Sequence, residues 1–283
     1  MSSESKFKPK MLGIICNWCC YGGADLCGVS RFQYPTYIRL IRVMCSGRVD
    51  LKHILLAFSN GVDGMFVGGC HINDCHYNPE GNYDALSMVN LCKKLLEHSG
   101  INPKRLRLEW VSAGEGIRFA NIMNEFSGEI EELGPLGKSE GIDEIELKSR
   151  IEKITRLIPY IKLTKMKELA LHDPDQEAYA KLYTSEEIDN LIREAPSYWV
   201  DPENCQACMT CARRCPVDAV ISAKNQIHVI DQNKCIRCGT CFEVCPPKFG
   251  AVTRIVGKPV PPPVPEEQRI VVRKGKESAG KSL

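Results

Sequence analysis

No apolar run in this 283-residue chain approaches the roughly 18 residues that a membrane-spanning helix needs. Its first residues, MSSESKFKPKMLGII, lack the apolar core of a secretory signal, so a cytoplasmic protein with no membrane span is expected. Charge of one sign is also missing. The formal balance is +2, and no basic face with interleaved aromatics stands out, which argues against a nucleic-acid partner. No G-x-G-x-x-G follows a predicted strand, and Gly114–Glu115–Gly116 is too short to count as a dinucleotide fingerprint. Nor does any nucleophile stand beside an evident base, so no substrate-transforming site is expected in this chain. What the chain has in excess is cysteine, 16 residues of it. Without secretion these are read as thiols in a reducing compartment, not as disulfides.

Eight of the cysteines form two copies of one spacing. Cys205, Cys208, Cys211 and Cys215 precede Pro216, and Cys235, Cys238, Cys241 and Cys245 precede Pro246. Each copy is the C-x2-C-x2-C-x3-C-P run of a protein with two [4Fe–4S] clusters, in which the fourth cysteine of one run ligates the other cluster. The expected ligand sets are therefore Cys205, Cys208, Cys211 and Cys245 for one cluster, and Cys235, Cys238, Cys241 and Cys215 for the other. Zinc is the competing reading of C-x2-C pairs. A tetrahedral ion takes four ligands and leaves no use for the third and fourth cysteine of each run.

The remainder reads as two further regions. Short apolar runs at Met11–Ile15, Ile38–Met44, Val62–Val67 and Leu106–Val111 alternate with helix-like stretches at Asp50–Ser59, Tyr83–His98 and Glu115–Leu133. Asp50 suits an N-cap and Gly100 a helix stop. Strands alternating with helices imply an α/β fold, an open parallel sheet with helices on both faces. Residues 139–200 show helical periodicity, interrupted at Pro159 and at Asp173–Pro174. KPVPPPVPEEQ and the charged stretch after it suggest a flexible tail. The expected organisation is an N-terminal domain at 1–138, a helical connector at 139–198, a small α+β two-cluster ferredoxin domain at 199–256 and a tail at 257–283.

Eight cysteines lie in the N-terminal region. Cys16, Cys45 and Cys70 each follow a predicted strand, and open parallel sheets gather ligands outside the carboxyl ends of their strands. Cys19 and Cys75 stand a short step beyond Cys16 and Cys70. Five thiols can thus reach one site, and four of them suit a [2Fe–2S] cluster. A redox dithiol or a zinc site would compete. Cys92 and Cys27 read as core residues, and Cys20 as a spare thiol. His71 and His76 read as donors behind the ligands or as N-cap-like contacts, not as ligands. Arg39, Arg42, Arg48 and Asp74 are candidates to tune the local field or to form ion pairs.

Four segments carry a resemblance: CNWCCYGGAD, RLIRVMCSGRVD, GMFVGGCHINDCHYN and LRLEWVSAGEG. Together, over about residues 11–137, they resemble the delta (iron–sulfur) subunit of methyl-viologen-reducing, F420-non-reducing hydrogenase. The resemblance implies one [2Fe–2S] cluster on four of Cys16, Cys19, Cys45, Cys70 and Cys75. It also implies electron passage between an electron-input module and the flavin-bearing subunit of heterodisulfide reductase. The plain subunit stops soon after the segment Glu132–Gly137, whereas this chain adds a ferredoxin domain. The extension points to other anaerobic complexes, with hydrogenase, formate, NADH or acyl-CoA reductase modules and flavin-based electron bifurcation. Two rivals remain: a dithiol reductase using Cys16 and Cys19, and a zinc-binding, redox-sensing scaffold subunit.

Overall fold

The computed structural model describes residues 7–173 and 175–271, so the part of the expected tail at 272–283 lies outside the described residues. The chain divides into two compact units, residues 1–192 and 193–283.

The first unit opens with β1 (Met11–Cys16), α1 (Cys20–Val29), β2 (Ile38–Val43) and α2 (Leu51–Ser59). It continues with β3 (Gly64–Gly69), α3 (Gly81–Ser99), β4 (Leu106–Trp110) and α4 (Gly116–Leu133). The four strands are parallel and lie in the order β2-β1-β3-β4, Met11 standing beside both Ile38 and Gly64. In such a doubly wound sheet the order of winding reverses between β1 and β3, and the carboxyl ends of those strands open a crevice.

Burial on both faces explains the uninterrupted apolar strands. All six residues of β3 are buried, with Met65 and Val67 in one core and Phe66 in the other. The first core is filled by Ile54, Leu55 and Phe58 of α2 and Leu91, Leu95 and Leu96 of α3. The second is filled by Phe119, Met123, Phe126 and Ile130 of α4, each worth about 1.5–3 kcal/mol when fully buried. Edge strand β2 carries Arg39 and Arg42, charges that discourage further pairing. The Asp50 carboxylate caps α2 by accepting from the Lys52 amide at 2.9 Å, and Gly100, at φ +81°, ends α3.

The first crossover, α1, is a helix that propensity disfavours, with Gly22, Gly23 and Gly28 in ten residues. Packing decides instead. A Cβ at Gly23 would stand 2.8 Å from the Ser112 carbonyl oxygen and 2.9 Å from Val111, so the helix seats closely against the turn after β4.

The connector segment contains α5 (Glu144–Thr164), α6 (Met166–Leu169), α7 (Gln176–Lys181) and α8 (Ser185–Arg193). Pro159 does not break α5, contrary to the sequence expectation. Leu147, Ile151, Ile154, Ile158 and Ile161 are all buried in the first core, which offsets the roughly 3 kcal/mol that an internal proline costs. The segment is therefore part of the first unit's core and not a free spacer.

The second unit contains β5 (Ser197–Val200), α9 (Thr210–Arg214), β6 (Val220–Ile221), β7 (Val229–Ile230), α10 (Thr240–Glu243) and β8 (Val252–Ile255). β5 pairs with β8 and β6 with β7, both antiparallel. Within the expected tail, residues 269–271 are paired with the rest of the unit: Ile270 bridges Gln226, the Ile227 amide donates to the Arg269 carbonyl at 2.6 Å, and the Val271 amide donates to the Asn225 carbonyl at 3.0 Å. Among the described residues no helix is long and apolar enough to cross a membrane.

Candidate metal centres

Cys16 ends β1 and Cys70 follows β3, so the two neighbouring strands at the switch point deliver both sulfurs to one place, 3.7 Å apart. Two thiolates on one tetrahedral metal, each bonded at about 2.3 Å, stand about 3.8 Å apart. Cys45, just beyond β2, and Cys75, in the loop after β3, meet over the first residue of α3. A Cβ at Gly81 would lie 2.5 Å from the Cys45 sulfur and 2.8 Å from the Cys75 sulfur. Cys19 completes the group, close enough to Cys70 for each thiol to shift the other's proton affinity. All five predicted thiols converge.

Their electrostatics are uneven. The hydrogen bond from Cys70 draws Cys16 down to about 6, and the amides of Cys20, Cys19 and Trp18 at the start of α1 assist. The Cys20 amide donates to the Cys16 sulfur at 3.3 Å, the arrangement by which a helix N-terminus favours a thiolate. Cys70, which gives that bond as a thiol and is buried, is pushed far up. Cys45 is pushed up to about 11 by burial, with Cys75 and Cys16 adding repulsion. Cys19 is raised chiefly by burial. Thiols that keep one another protonated in this way form a donor set whose negative charge a metal would take up, releasing protons.

The other three N-terminal cysteines point elsewhere. Cys20 is fully buried against Gly68, and burial holds its thiol well above the ordinary value. Cys27 donates to the Phe32 carbonyl at 3.5 Å, and Cys92 is sealed in the first core. The histidines contact groups other than the thiols. His71 pairs with the Glu115 carboxylate at 2.7 Å, and the same carboxylate accepts from the Ser112 amide at 2.7 Å. His76 stacks on Trp18, with centroids 3.8 Å apart, and so joins the loop of Cys19 to the loop of Cys75. Neither histidine hydrogen-bonds to a cysteine among the described residues. Trp18 passed unremarked in the sequence, although its place between Cys16 and Cys19 was the available signal. Of the charged candidates, Arg42 lies over the Tyr21 ring at 4.5 Å, Arg39 bonds the Thr36 carbonyl at 2.6 Å, and Asp74 adds repulsion at Cys19.

In the second unit the two cysteine runs adopt the same backbone. Ala207 and Met209 have φ of 51° and 65°, and their counterparts Arg237 and Gly239 have 60° and 85°. Left-handed backbone costs an ordinary residue about 1–2 kcal/mol, and alternation with right-handed residues turns successive amides inward to form an anion-binding nest. Cys215, Cys235, Cys238 and Cys241 wall one small cavity with Tyr198, Val220 and Ile230. Cys211 is pushed up to about 11 by burial and then by repulsion from Cys205, Cys208 and Cys245. The fold thus brings each fourth cysteine to the other run's triplet. Among the described residues no three His, Cys, Asp or Glu side chains close on a point that could hold a single ion. A cage of thiols around four irons is wider than the ligand shell of one ion, so this spacing suits clusters better than zinc.

One residue here carries no sequence signal. His228 is 1% exposed, its Nδ1 stands 3.1 Å from the Cys211 sulfur, and its Nε2 is buried without a partner among the described residues.

Comparison with known proteins finds relatives of both regions. The family model described as methyl-viologen-reducing hydrogenase, delta subunit, matches residues 11–134, and a 4Fe-4S dicluster domain matches residues 197–260. The chain is 50% identical over 135 residues to an F420-non-reducing hydrogenase iron-sulfur subunit of Archaeoglobus profundus, spanning 96% of that protein and 48% of this one. It is 47% identical over 140 residues to the vhc hydrogenase iron-sulfur subunit of Methanococcus voltae, spanning 96% of that protein and 50% of this one. It is also 49% identical over 129 residues to part of a ferredoxin/F(420)H(2)-dependent CoB-CoM heterodisulfide reductase protein of Methanosarcina acetivorans, 46% of this chain but 16% of that one. With its parallel sheet, converging thiols and twin cysteine runs, the chain belongs to the methyl-viologen-reducing hydrogenase delta-subunit family, as an iron–sulfur electron-transfer subunit extended by a 4Fe-4S dicluster domain.

Proposed function

We propose that this chain relays electrons between an electron-input or output module and a heterodisulfide-reductase-like flavin subunit, in an anaerobic, cytoplasmic, electron-bifurcating complex. The input or output module is of the hydrogenase, formate, NADH or acyl-CoA reductase kind. The observation that carries this reading is the convergence of thirteen cysteines on three sites. Bound there, two [4Fe–4S] clusters and one [2Fe–2S] cluster would supply one-electron carriers.

Cys205, Cys208, Cys211 and Cys245 hold one [4Fe–4S] cluster, and Cys235, Cys238, Cys241 and Cys215 the other. At the switch point Cys45 and Cys75 would form one pair of ligands for a [2Fe–2S] cluster, and Cys16 and Cys70, with their 3.7 Å separation, the other, with Cys19 beside them. The amides of α1 steady the Cys16 thiolate, and the Trp18–His76 stack covers the loops that carry Cys19 and Cys75. The partner follows from the Methanosarcina relative, where a similar segment lies within a much longer heterodisulfide reductase chain. Segments joined in one chain elsewhere are natural partners when separate.

The dithiol reductase reading is disfavoured because Cys16 is 1% exposed and its sulfur faces Cys70, out of reach of a substrate. The test is iron, sulfide and zinc per full-length chain purified without oxygen, with EPR of the reduced sample. About ten irons, no zinc and one [2Fe–2S] signal beside two [4Fe–4S] signals are expected. About eight irons with stoichiometric zinc would overturn the N-terminal assignment and favour the scaffold reading.

A further inference from the structure

The two cysteine runs are related by position as well as spacing. Tyr198 precedes Cys205 by seven residues, and His228 precedes Cys235 by seven. Each reaches across to the opposite site. Tyr198 lines the cavity of Cys215, Cys235, Cys238 and Cys241, with its hydroxyl oxygen 2.9 Å from where a Cβ on Gly239 would be. His228 lies against Cys211 in the other set. Matching positions therefore hold different chemistry. Tyr198 hydrogen-bonds to no cysteine sulfur among the described residues, whereas the His228 ring has a nitrogen on one.

Resting on the reading of Cys205, Cys208, Cys211 and Cys245 as [4Fe–4S] ligands, we propose that His228 donates its Nδ1–H to the Cys211 sulfur and raises that cluster's reduction potential. The direction of the bond follows from the partners. An iron-bound thiolate has no proton to give, so the proton at 3.1 Å is the imidazole's. A neutral ring with Nδ1–H leaves Nε2 as a bare lone pair. Nε2 is indeed buried with no partner among the described residues, and a lone pair left so is less costly than an orphaned N–H. Both ends of the ring thus select one tautomer. One-electron reduction adds negative charge that spreads onto the sulfurs, and a fixed donor stabilises the reduced form more than the oxidised one. His228 is a positioning residue that tunes the site and transfers no proton itself.

EPR-monitored redox titration of the full-length protein tests this. His228→Tyr, which installs the residue that the matching position already accommodates, is expected to lower one [4Fe–4S] potential by about tenfold in the reduction equilibrium, 59 mV for a one-electron couple. The other two signals stay in place. Tyr198→His raises the other [4Fe–4S] cluster, and His228→Gln, which keeps an N–H donor, recovers part of the loss. A His228→Tyr protein whose potentials do not move, or in which all three move together, overturns the proposal. So does a His228→Gln protein indistinguishable from His228→Tyr. A readout that needs no variant is pulsed EPR of the wild-type chain labelled with 15N-histidine, because His228 is the sole histidine after residue 192. A histidine nitrogen coupled to a [4Fe–4S] signal is expected, and its absence overturns the bond. If the wild type lacks two [4Fe–4S] signals altogether, the ligand assignment fails and not the role of His228.

Discussion

Replacing Gly81 with alanine sets two physical effects against each other at the N-terminal site. Gly81 begins α3, where alanine is favoured over glycine by up to about 1 kcal/mol. Propensity alone therefore predicts a more stable protein. The added methyl would stand 2.5 Å from the Cys45 sulfur and 2.8 Å from that of Cys75, roughly 1 Å inside ordinary contact. Neither side can yield freely. The two sulfurs come from different loops, and Gly81 is itself wedged, since a Cβ on Gly47 would meet its carbonyl at 2.6 Å. Overpacking of this kind costs about 1–3 kcal/mol, enough to cancel the helical gain and leave a net loss of up to about 2 kcal/mol. The functional effect is larger than the change in stability, because the methyl enters between two thiols that would share one iron. Gly81→Ala should fall from about ten irons per chain to about eight, losing the [2Fe–2S] signal and keeping both [4Fe–4S] signals. Iron analysis and EPR on the reduced full-length protein decide it. Full iron with an unchanged [2Fe–2S] signal, or a raised Tm, would refute the close approach of Cys45 and Cys75 on which the reasoning depends.

Two further outcomes follow from the same geometry. Cys19→Ser should keep the [2Fe–2S] signal while Cys45→Ser loses it, as read by EPR, because Cys45 has Cys75 as its pair and Cys19 stands outside both pairs. Arg105→Met should cost about 3–5 kcal/mol in denaturant unfolding, since Arg105 and Glu140 are 0% and 4% exposed and the change strands a buried carboxylate. The Arg105 guanidinium also holds the carbonyls of Asp63, Gly134 and Pro135. Burial alone would raise the Glu140 carboxyl, but bonds from Arg105 and Ser139 leave it below its ordinary 4.5. With the folded value lowered, its stabilisation is complete above that pH and fades as pH falls through the lower folded value. The wild type should therefore lose stability in that acid range more steeply than Arg105→Met does.

The cysteines were legible because cluster chemistry fixes their spacing, and the strands because a sheet covered on both faces needs continuous apolar runs such as Met65–Phe66–Val67. What escaped the sequence was set by packing between distant segments. α1 carries three glycines and is not among the helix-like stretches of the sequence, yet Gly22 and Gly23 let it seat against Val111, Ser112 and Ala113. Pro159 reads as a helix break, yet Ile154, Ile158 and Ile161 are buried on one side of it and keep the helix whole. The pairing of Ile270 and Val271 with Gln226 and Asn225 escapes the sequence because it depends on backbone groups that any residue supplies. Trp18 and His228 each act once, through a ring placed by the fold, and a single ring leaves no periodic trace.

The two units position sulfur by different means, and iron removal should separate them. In the first unit Cys16, Cys45, Cys70 and Cys75 belong to one core beside Phe66, Phe119, Met123 and Phe126, while a second core around Ile14, Leu55, Met65 and Leu95 contains none of the five thiols, so most of the unit's apolar burial does not involve those sulfurs. In the second unit Cys205, Cys211 and Cys241 are themselves buried core residues, and Cys215, Cys235 and Cys245 pack against them. Its strands are two to four residues long, and its ligand loops carry Ala207, Met209 and Arg237 in left-handed backbone, a strain of about 1–2 kcal/mol each. Little apolar burial remains to offset that strain once the sulfurs lose their metal, so binding and folding are one process there. Chelation of iron under reducing conditions should therefore abolish protection of residues 197–256 from amide exchange while β1, β3 and α4 stay protected. Equal loss of protection in both units would show that the first unit also depends on its metal, and that its sheet does not stand alone.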